Sequence, residues 1–144
     1  MRVNVRRVDS PEEEGADIRA TEITEEIRSA IELLENNRSG IPCIKGAETV
    51  MCRMDEIYYI ESVDKRTYVY TKAQCYETKY RLYELERILH FHFLRCSKAM
   101  IVNIRKIRSV KADLNARMTA ELLNGEQIVI SRSYVKDLKR KLGL

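Results

Sequence analysis

Residues 93–107, FLRCSKAMIVNIRKI, lay down an apolar frame of Phe93, Leu94, Met100, Ile101, Val102, Ile104 and Ile107. Arg95, Ser97, Lys98, Asn103, Arg105 and Lys106 interrupt that frame with hydrogen-bond donors. A core tolerates such groups only when they are paired. A surface that meets an anion displays them, because cations beside hydroxyls bind phosphate and carboxylate oxygens. The run is therefore either a core with internal partners or an anion-binding face, and the rest of the chain must decide between them.

Other chemistry has little to stand on. No P-loop, GxGxxG or GxSxG motif is present. His90 and His92 are the only histidines, and no neighbouring Asp, Glu or Cys completes a metal set around HFHF. Asp55-Glu56 and the Glu84/Glu86 pair read as solvated carboxylates. With no nucleophile–base pair and no metal set, the expectation is no enzyme, no metal and no cofactor. Cys43, Cys52, Cys75 and Cys96 include no CxxC pair and read as reduced, mostly buried thiols. Arg95 and Lys98 beside Cys96 leave open a lowered thiol pKa and a redox role.

The 144 residues are 44% apolar and 33% charged, with only 5 Gly and 2 Pro, which fits a globular chain with a sizeable core. No apolar run reaches the roughly 18–20 residues of a membrane span, and the charged N-terminus has no signal-peptide h-region. The expectation is a cytoplasmic protein without direct membrane insertion. Charge is unevenly placed. Residues 1–35 carry 5 basic and 10 acidic side chains, whereas residues 95–144 carry 12 basic and 4 acidic ones. A polyanion partner for the C-terminal part follows naturally, and plain solubility is the competing account.

The elements that must position these side chains come in two textures. Residues 2–8 alternate Val with Arg and Asn and predict a short strand. Ile23, Ile27, Ala30, Ile31 and Leu34 then predict an amphipathic helix over 22–36 with Thr21 as its cap, stopped by Asn36–Gly40. From Ile41 onward, Val/Ile/Tyr/Thr-rich runs recur at 41–45, 48–53, 57–62, 66–71, 74–78, 92–96, 106–111, 115–123 and 127–131. That spacing predicts a mostly antiparallel β domain, with Asn124-Gly125 as its clearest hairpin turn. Helices are expected over 81–89 and 134–142. The predicted division is an N-terminal strand–helix extension over 1–45, for docking or a dimer contact, and a domain over 46–144.

Four segments now carry a resemblance. IYYIESVDKRTYVYT (57–71), YRLYELERIL (80–89), FLRCSKAMIVNIRKIRSV (93–110) and LLNGEQIVISRSYVKDLKRKL (122–142) resemble the LytTR DNA-binding domain in order and spacing. The resemblance spans roughly residues 48–144. It implies a mainly β fold, an elongated stack of small antiparallel sheets with short helices. It also implies DNA binding through loops that enter successive major grooves, rather than through a recognition helix. Members of the family are usually transcription regulators on direct-repeat sites, often dimers on DNA. Many carry a receiver domain; residues before 41 are too few to form one, so this chain resembles the stand-alone kind.

The resemblance assigns three contact loops. The first is Cys96-Ser97-Lys98-Ala99, where the commonest family version has His-Arg-Ser, so Lys98 takes the cationic position as a point charge rather than a bidentate fork. The second is Asp64-Lys65-Arg66-Thr67, and the third is Ser131-Arg132-Ser133-Tyr134, with Ser133 where many relatives carry Arg. The DNA-contact set expected from it is Lys65, Arg66, Thr67, Ser97, Lys98, Arg132, Ser133 and Lys136. Asn103 matches the V-N of the pattern and reads as a turn support. Ser131 is positioned to cap the last helix. Arg105, Lys106, Arg108 and Lys111 read equally as electrostatic attraction or as a solvated strand face, and Arg95 equally as a partner for a carboxylate.

The expected function is sequence-specific binding of double-stranded DNA by a transcriptional regulator reading direct-repeat promoter elements. Expected partners are double-stranded DNA and a second copy of the chain, with a membrane or sensor protein as a further candidate. The alternative is a protein-interaction module on the same scaffold with little DNA specificity.

Overall fold

The computed structural model describes residues 1–35, 40–89 and 92–144. Residues divide into two compact units, Met1–Asn37 and Arg38–Leu144. His90 and the Asn36–Ser39 helix stop lie outside the described residues.

In the N-terminal unit, residues 2–8 form no strand, and Val3 and Val5 stay exposed. Alternation alone does not make a strand, because its amides and carbonyls need a pairing neighbour. Pro11–Glu13 makes a single 3-10 turn. Helix α1 covers Glu25–Glu35, later than the 22–36 expected. Thr24, not Thr21, caps it, its Oγ1 accepting the Ile27 amide at 3.4 Å. Glu25 and Glu26 then sit where the helix dipole favours negative charge.

The second unit is built from ten strands and two helices: β1 (Gly40–Lys45), β2 (Glu48–Arg53), β3 (Tyr59–Val63), β4 (Arg66–Tyr70), β5 (Cys75–Thr78), α2 (Leu82–Ile88), β6 (Phe93–Ser97), β7 (Met100–Asn103), β8 (Ile107–Ala112), β9 (Met118–Leu122), β10 (Gln127–Ile130) and α3 (Arg132–Leu142). Seven strands form one sheet in the order β2-β1-β5-β4-β3-β7-β6, and three form a second in the order β10-β9-β8. Every pairing is antiparallel. Strand β1, which precedes residue 46, pairs with β2 along its whole length, and the compact unit accordingly begins at residue 38.

Two cores lie on opposite faces of the β6–β7 ribbon. The first gathers Ile41, Ile57, Ile60, Val69 and Ile101 under Leu82 and Leu85 of α2. The second gathers Val102, Cys96, Met118, Leu122 and Ile130 against Leu138 of α3. Ile101 and Val102 are neighbours in sequence and belong to different cores, because successive strand side chains point to opposite faces. This is why 93–107 is apolar without alternation: both of its faces are covered. The run also contains two strands, β6 and β7, where the sequence pattern marked only one. Over 115–123 the strand begins late, at Met118, because Asn115 (φ 61°) and Ala116 (φ 59°) break the extended backbone.

Candidate nucleic-acid interface

Strand direction brings the three expected loops to one end of the unit. β3 leads into β4 through Asp64-Lys65, both left-handed (φ 50° and 64°), the geometry of a two-residue hairpin turn. β7 pairs antiparallel with β3, and the Ser62 amide donates to Ala99 O at 2.8 Å, so the β6–β7 turn lies beside the β3–β4 turn. The Ser131 amide donates to Cys96 O at 2.8 Å, which sets the start of α3 beside the end of β6. Three segments far apart in sequence, 64–66, 97–99 and 131–133, thus emerge side by side.

Each turn is held from within. The Ser97 hydroxyl accepts the Ala99 amide at 3.2 Å, so Ser97 shapes its own turn. Arg95 reaches under that turn, with Nε donating to Ser97 O at 3.0 Å and Nη2 to Lys98 O at 2.9 Å. Its Nη1 pairs with the Glu86 carboxylate of α2. Of the two roles open to Arg95, the carboxylate-paired structural one is the role it fills. Lys98 is left exposed at the tip. At the third segment, Ser131 makes no side-chain cap bond, contrary to expectation; its backbone carbonyl accepts the Tyr134 amide at 2.9 Å instead. Arg132 and Lys136 stand one helical turn apart on the exposed side of α3, with Ser133 exposed between them.

One residue leaves the expected set. Thr67 is 2% exposed, because in β4 it falls on the inward side of the pleat, so its hydroxyl does not face an outside partner. Arg66, its neighbour, is exposed and only loosely paired with Glu77 at 4.0 Å.

Around this end the carboxylates are mostly engaged: Glu86 with Arg95, Asp137 with Arg140 at 3.0 Å, and Asp113 with the Leu114 amide and the Thr119 hydroxyl, each at 2.9 Å. The hydrogen bond from Leu114 N, then that from Thr119, holds the Asp113 carboxyl below its usual range. Among the described residues Lys65, Lys98, Arg132 and Lys136 make no ion pair. The surplus is positive, and its chemistry is attraction of a polyanion with hydrogen bonds to phosphate oxygens.

Sequence reasoning missed Arg81, which follows β5. Pairing of Thr67 with Thr78 brings the exit of β5 to the same end, and Arg81 Nη1 donates to Lys65 O at 2.6 Å. Its position just before α2 hid it, since nothing in YRLYEL says that the helix starts beside another turn.

The basic residues 105–108 resolve differently. They follow β7 at the end away from the turns. Lys106 Nζ lies 5.2 Å from the Tyr58 ring centroid, and Arg108 donates to Leu123 O at 3.0 Å and lies 3.9 Å from Glu121. Asn103 is buried, donating through Nδ2 to Ile57 O at 2.8 Å and accepting the Arg105 amide on Oδ1 at 3.0 Å. It is a turn support. Tyr59 and Tyr70 stack at 4.4 Å within the sheet. His92 is buried beside Phe93, with ring centroids 4.7 Å apart. Cys96 is fully buried and donates to Met100 O at 3.6 Å. Desolvation outweighs Arg95 and pushes its thiol up to about 12, the reverse of what a reactive thiolate needs. No helix among the described residues is long and apolar enough to cross a membrane.

Comparison with known proteins agrees with this geometry. Residues 47–143 match the LytTr DNA-binding domain family. The transcriptional regulatory protein YpdB of Escherichia coli K12 is 28% identical over 106 residues, which are 72% of this chain and 43% of that protein. The chain therefore spans less than half the length of that relative. A protein of Staphylococcus aureus (strain bovine RF122), described as an uncharacterized HTH-type transcriptional regulator, is 28% identical over 131 residues, 89% of this chain and 88% of that one. In this chain no two α-helices follow one another among the described residues, since strands separate α1, α2 and α3. A solved LytTr DNA-binding domain from Bacillus cereus superposes with a TM-score of 0.70 at 28% identity, covering 74% of this chain and 98% of that one. The match over two thirds of the sequence, joined to the same fold, places this chain in the LytTr DNA-binding domain family.

Proposed function

We propose that this protein is a transcriptional regulator that binds double-stranded DNA sequence-specifically, reading direct-repeat promoter elements as a homodimer. The observation that carries the reading is the convergence of three turns, each ending in an exposed cation, at one end of the sheets. Turns of this kind enter a major groove without a recognition helix, and the cations beside them neutralise phosphates. The contacts are Lys65, Arg66, Lys98, Arg132, Ser133 and Lys136, with Ser97 as the former of its turn. DNA as the partner puts its work in the cytoplasm. Residues before the sheet serve as a docking or dimer-contact segment.

Selection from a random duplex pool at about 0.15 M salt, where weak phosphate attraction is partly screened, tests the reading. Recovery of two similar short elements about one helical turn apart is expected, with two copies of the chain sedimenting on such a duplex. Lys98→Ala and Arg132→Ala should each weaken binding with an unchanged melting temperature. No enriched sequence, together with salt-insensitive behaviour, points instead to a protein-interaction module.

A further inference from the structure

We propose that the linker between β5 and α2, through Lys79 and Arg81, is a fourth contact for the DNA backbone, binding a phosphate beside the β3–β4 turn. The inference rests on the DNA-binding reading above and extends it to residues that neither the motif nor the charge pattern singled out.

Arg81 occupies the position just before the first turn of α2, with extended backbone (φ −86°, ψ 158°). That position favours Ser, Thr, Asp or Asn, whose side-chain oxygen accepts a helix amide. An arginine has only donors and cannot do this. Helix stability therefore gives no reason for it. The local bonds are made by its backbone: the Arg81 amide donates to Glu84 Oε1 at 3.0 Å, and its carbonyl accepts the Glu84 and Leu85 amides at 3.1 and 3.0 Å. The guanidinium is directed elsewhere: Nη1 donates to Lys65 O at 2.6 Å, which anchors it at the base of the Asp64-Lys65 turn. The remaining N–H groups stay on an exposed side chain. A guanidinium held by one donor, with the others open, has already lost much of its rotamer freedom and suits two oxygens of a phosphate.

Lys79 joins it by strand alternation. Thr78 is 3% exposed, its hydroxyl donating to Pro42 O at 2.9 Å, so the next side chain turns outward. Lys79 is exposed and makes no ion pair among the described residues. Lys65, Arg66, Lys79 and Arg81 thus gather around one turn, faced by Asp64 and by Glu77, which is 4.0 Å from Arg66.

The test is the salt dependence of duplex binding by the full chain. A phosphate contact contributes about 0.9 to the log–log slope, and its loss weakens binding about five-fold at 0.15 M salt. The Lys79→Gln/Arg81→Gln double variant should flatten the slope by about 2 and keep the same ranking of sequences, since backbone contacts carry no base information. Lys79→Gln alone breaks no side-chain bond among the described residues, so it reads the effect, about 1 in slope, even if loss of the Arg81–Lys65 bond loosens the turn. Failure of the unaltered chain to bind duplex DNA overturns the functional reading and this inference with it. Normal binding by the unaltered chain with an unchanged slope in both variants overturns this inference alone.

Discussion

Asn103→Ala offers the sharpest test of how the structure divides scaffold from contact. The side chain is 1% exposed and ties three segments together, taking the Arg105 amide on Oδ1 at 3.0 Å and giving Nδ2 to Ile57 O at 2.8 Å, while its own amide donates to Tyr58 O at 2.9 Å. Alanine removes both side-chain bonds and leaves a carbonyl and an amide without their partners. Each such loss costs about 1–2 kcal/mol once desolvation is counted, so the variant should lose about 2–4 kcal/mol. Unfolding entropy near 2.1 cal/mol/K per residue gives about 0.2 kcal/mol/K for the 107 residues of Arg38–Leu144. The melting temperature should therefore fall by roughly 10–18 °C, read by circular dichroism on the full chain. Binding measured well below that melt should stay within about two-fold. Asn103→Asp adds a signature in pH. It keeps the acceptor for Arg105 but turns an acceptor toward Ile57 O, which raises the folded-state pKa of the new carboxyl above its unfolded value. The protonated form is the stabilised one, so the deficit relative to the unaltered protein should grow as pH rises through that pKa and shrink as pH falls. A melting temperature within about 3 °C of the parent in Asn103→Ala, or lost DNA binding at an unchanged melt, would refute the scaffold assignment.

Three further outcomes follow from single features. Lys65→Gly should raise stability slightly, by about 0.5 kcal/mol, because glycine adopts the left-handed conformation (φ 64°) without a Cβ penalty, yet weaken DNA binding about five-fold; parallel losses in both assays would show that the side chain supports the fold. Under native conditions an aromatic disulfide reagent should titrate one thiol quickly, the exposed Cys75, and the buried Cys43, Cys52 and Cys96 only on unfolding. Burial raises all three buried thiols, Cys96 to about 12 from 9.0, so their neutral form is favoured by folding and stability should decline as pH rises above about 9. Rapid labelling of Cys96 at neutral pH would contradict its burial.

Much of the architecture is visible in the chain because it depends on local pattern. β-branched and aromatic runs broken every few residues mark the strands, Asn124-Gly125 marks its hairpin with Gly125 at φ 89°, and Leu82 and Leu85 mark the buried side of α2. Where pattern needs a partner to become structure, it misleads. Val3 and Val5 alternate as a strand would, with Val8 out of step, and among the described residues no strand pairs with them. Asn115 and Ala116 sit inside an apparently continuous strand and break it by adopting positive φ, which their identities do not announce. Thr67 has the chemistry of a phosphate ligand and lies on the wrong side of the pleat.

The sequence by itself determined the kind of protein: the order of its elements, the family motifs over the last two thirds, and an excess of cations in the C-terminal part. Those properties need only residue type and spacing. Tertiary structure decided which of the cations are paired and which are left exposed. Arg95 and Lys98 are three residues apart, yet one is spent on Glu86 and two carbonyls and the other is left at the surface. Arg81 and Lys65 are sixteen apart and meet. Pairing between distant strands sets both outcomes, and the register of an antiparallel sheet is a property of the whole fold, not of any segment in it.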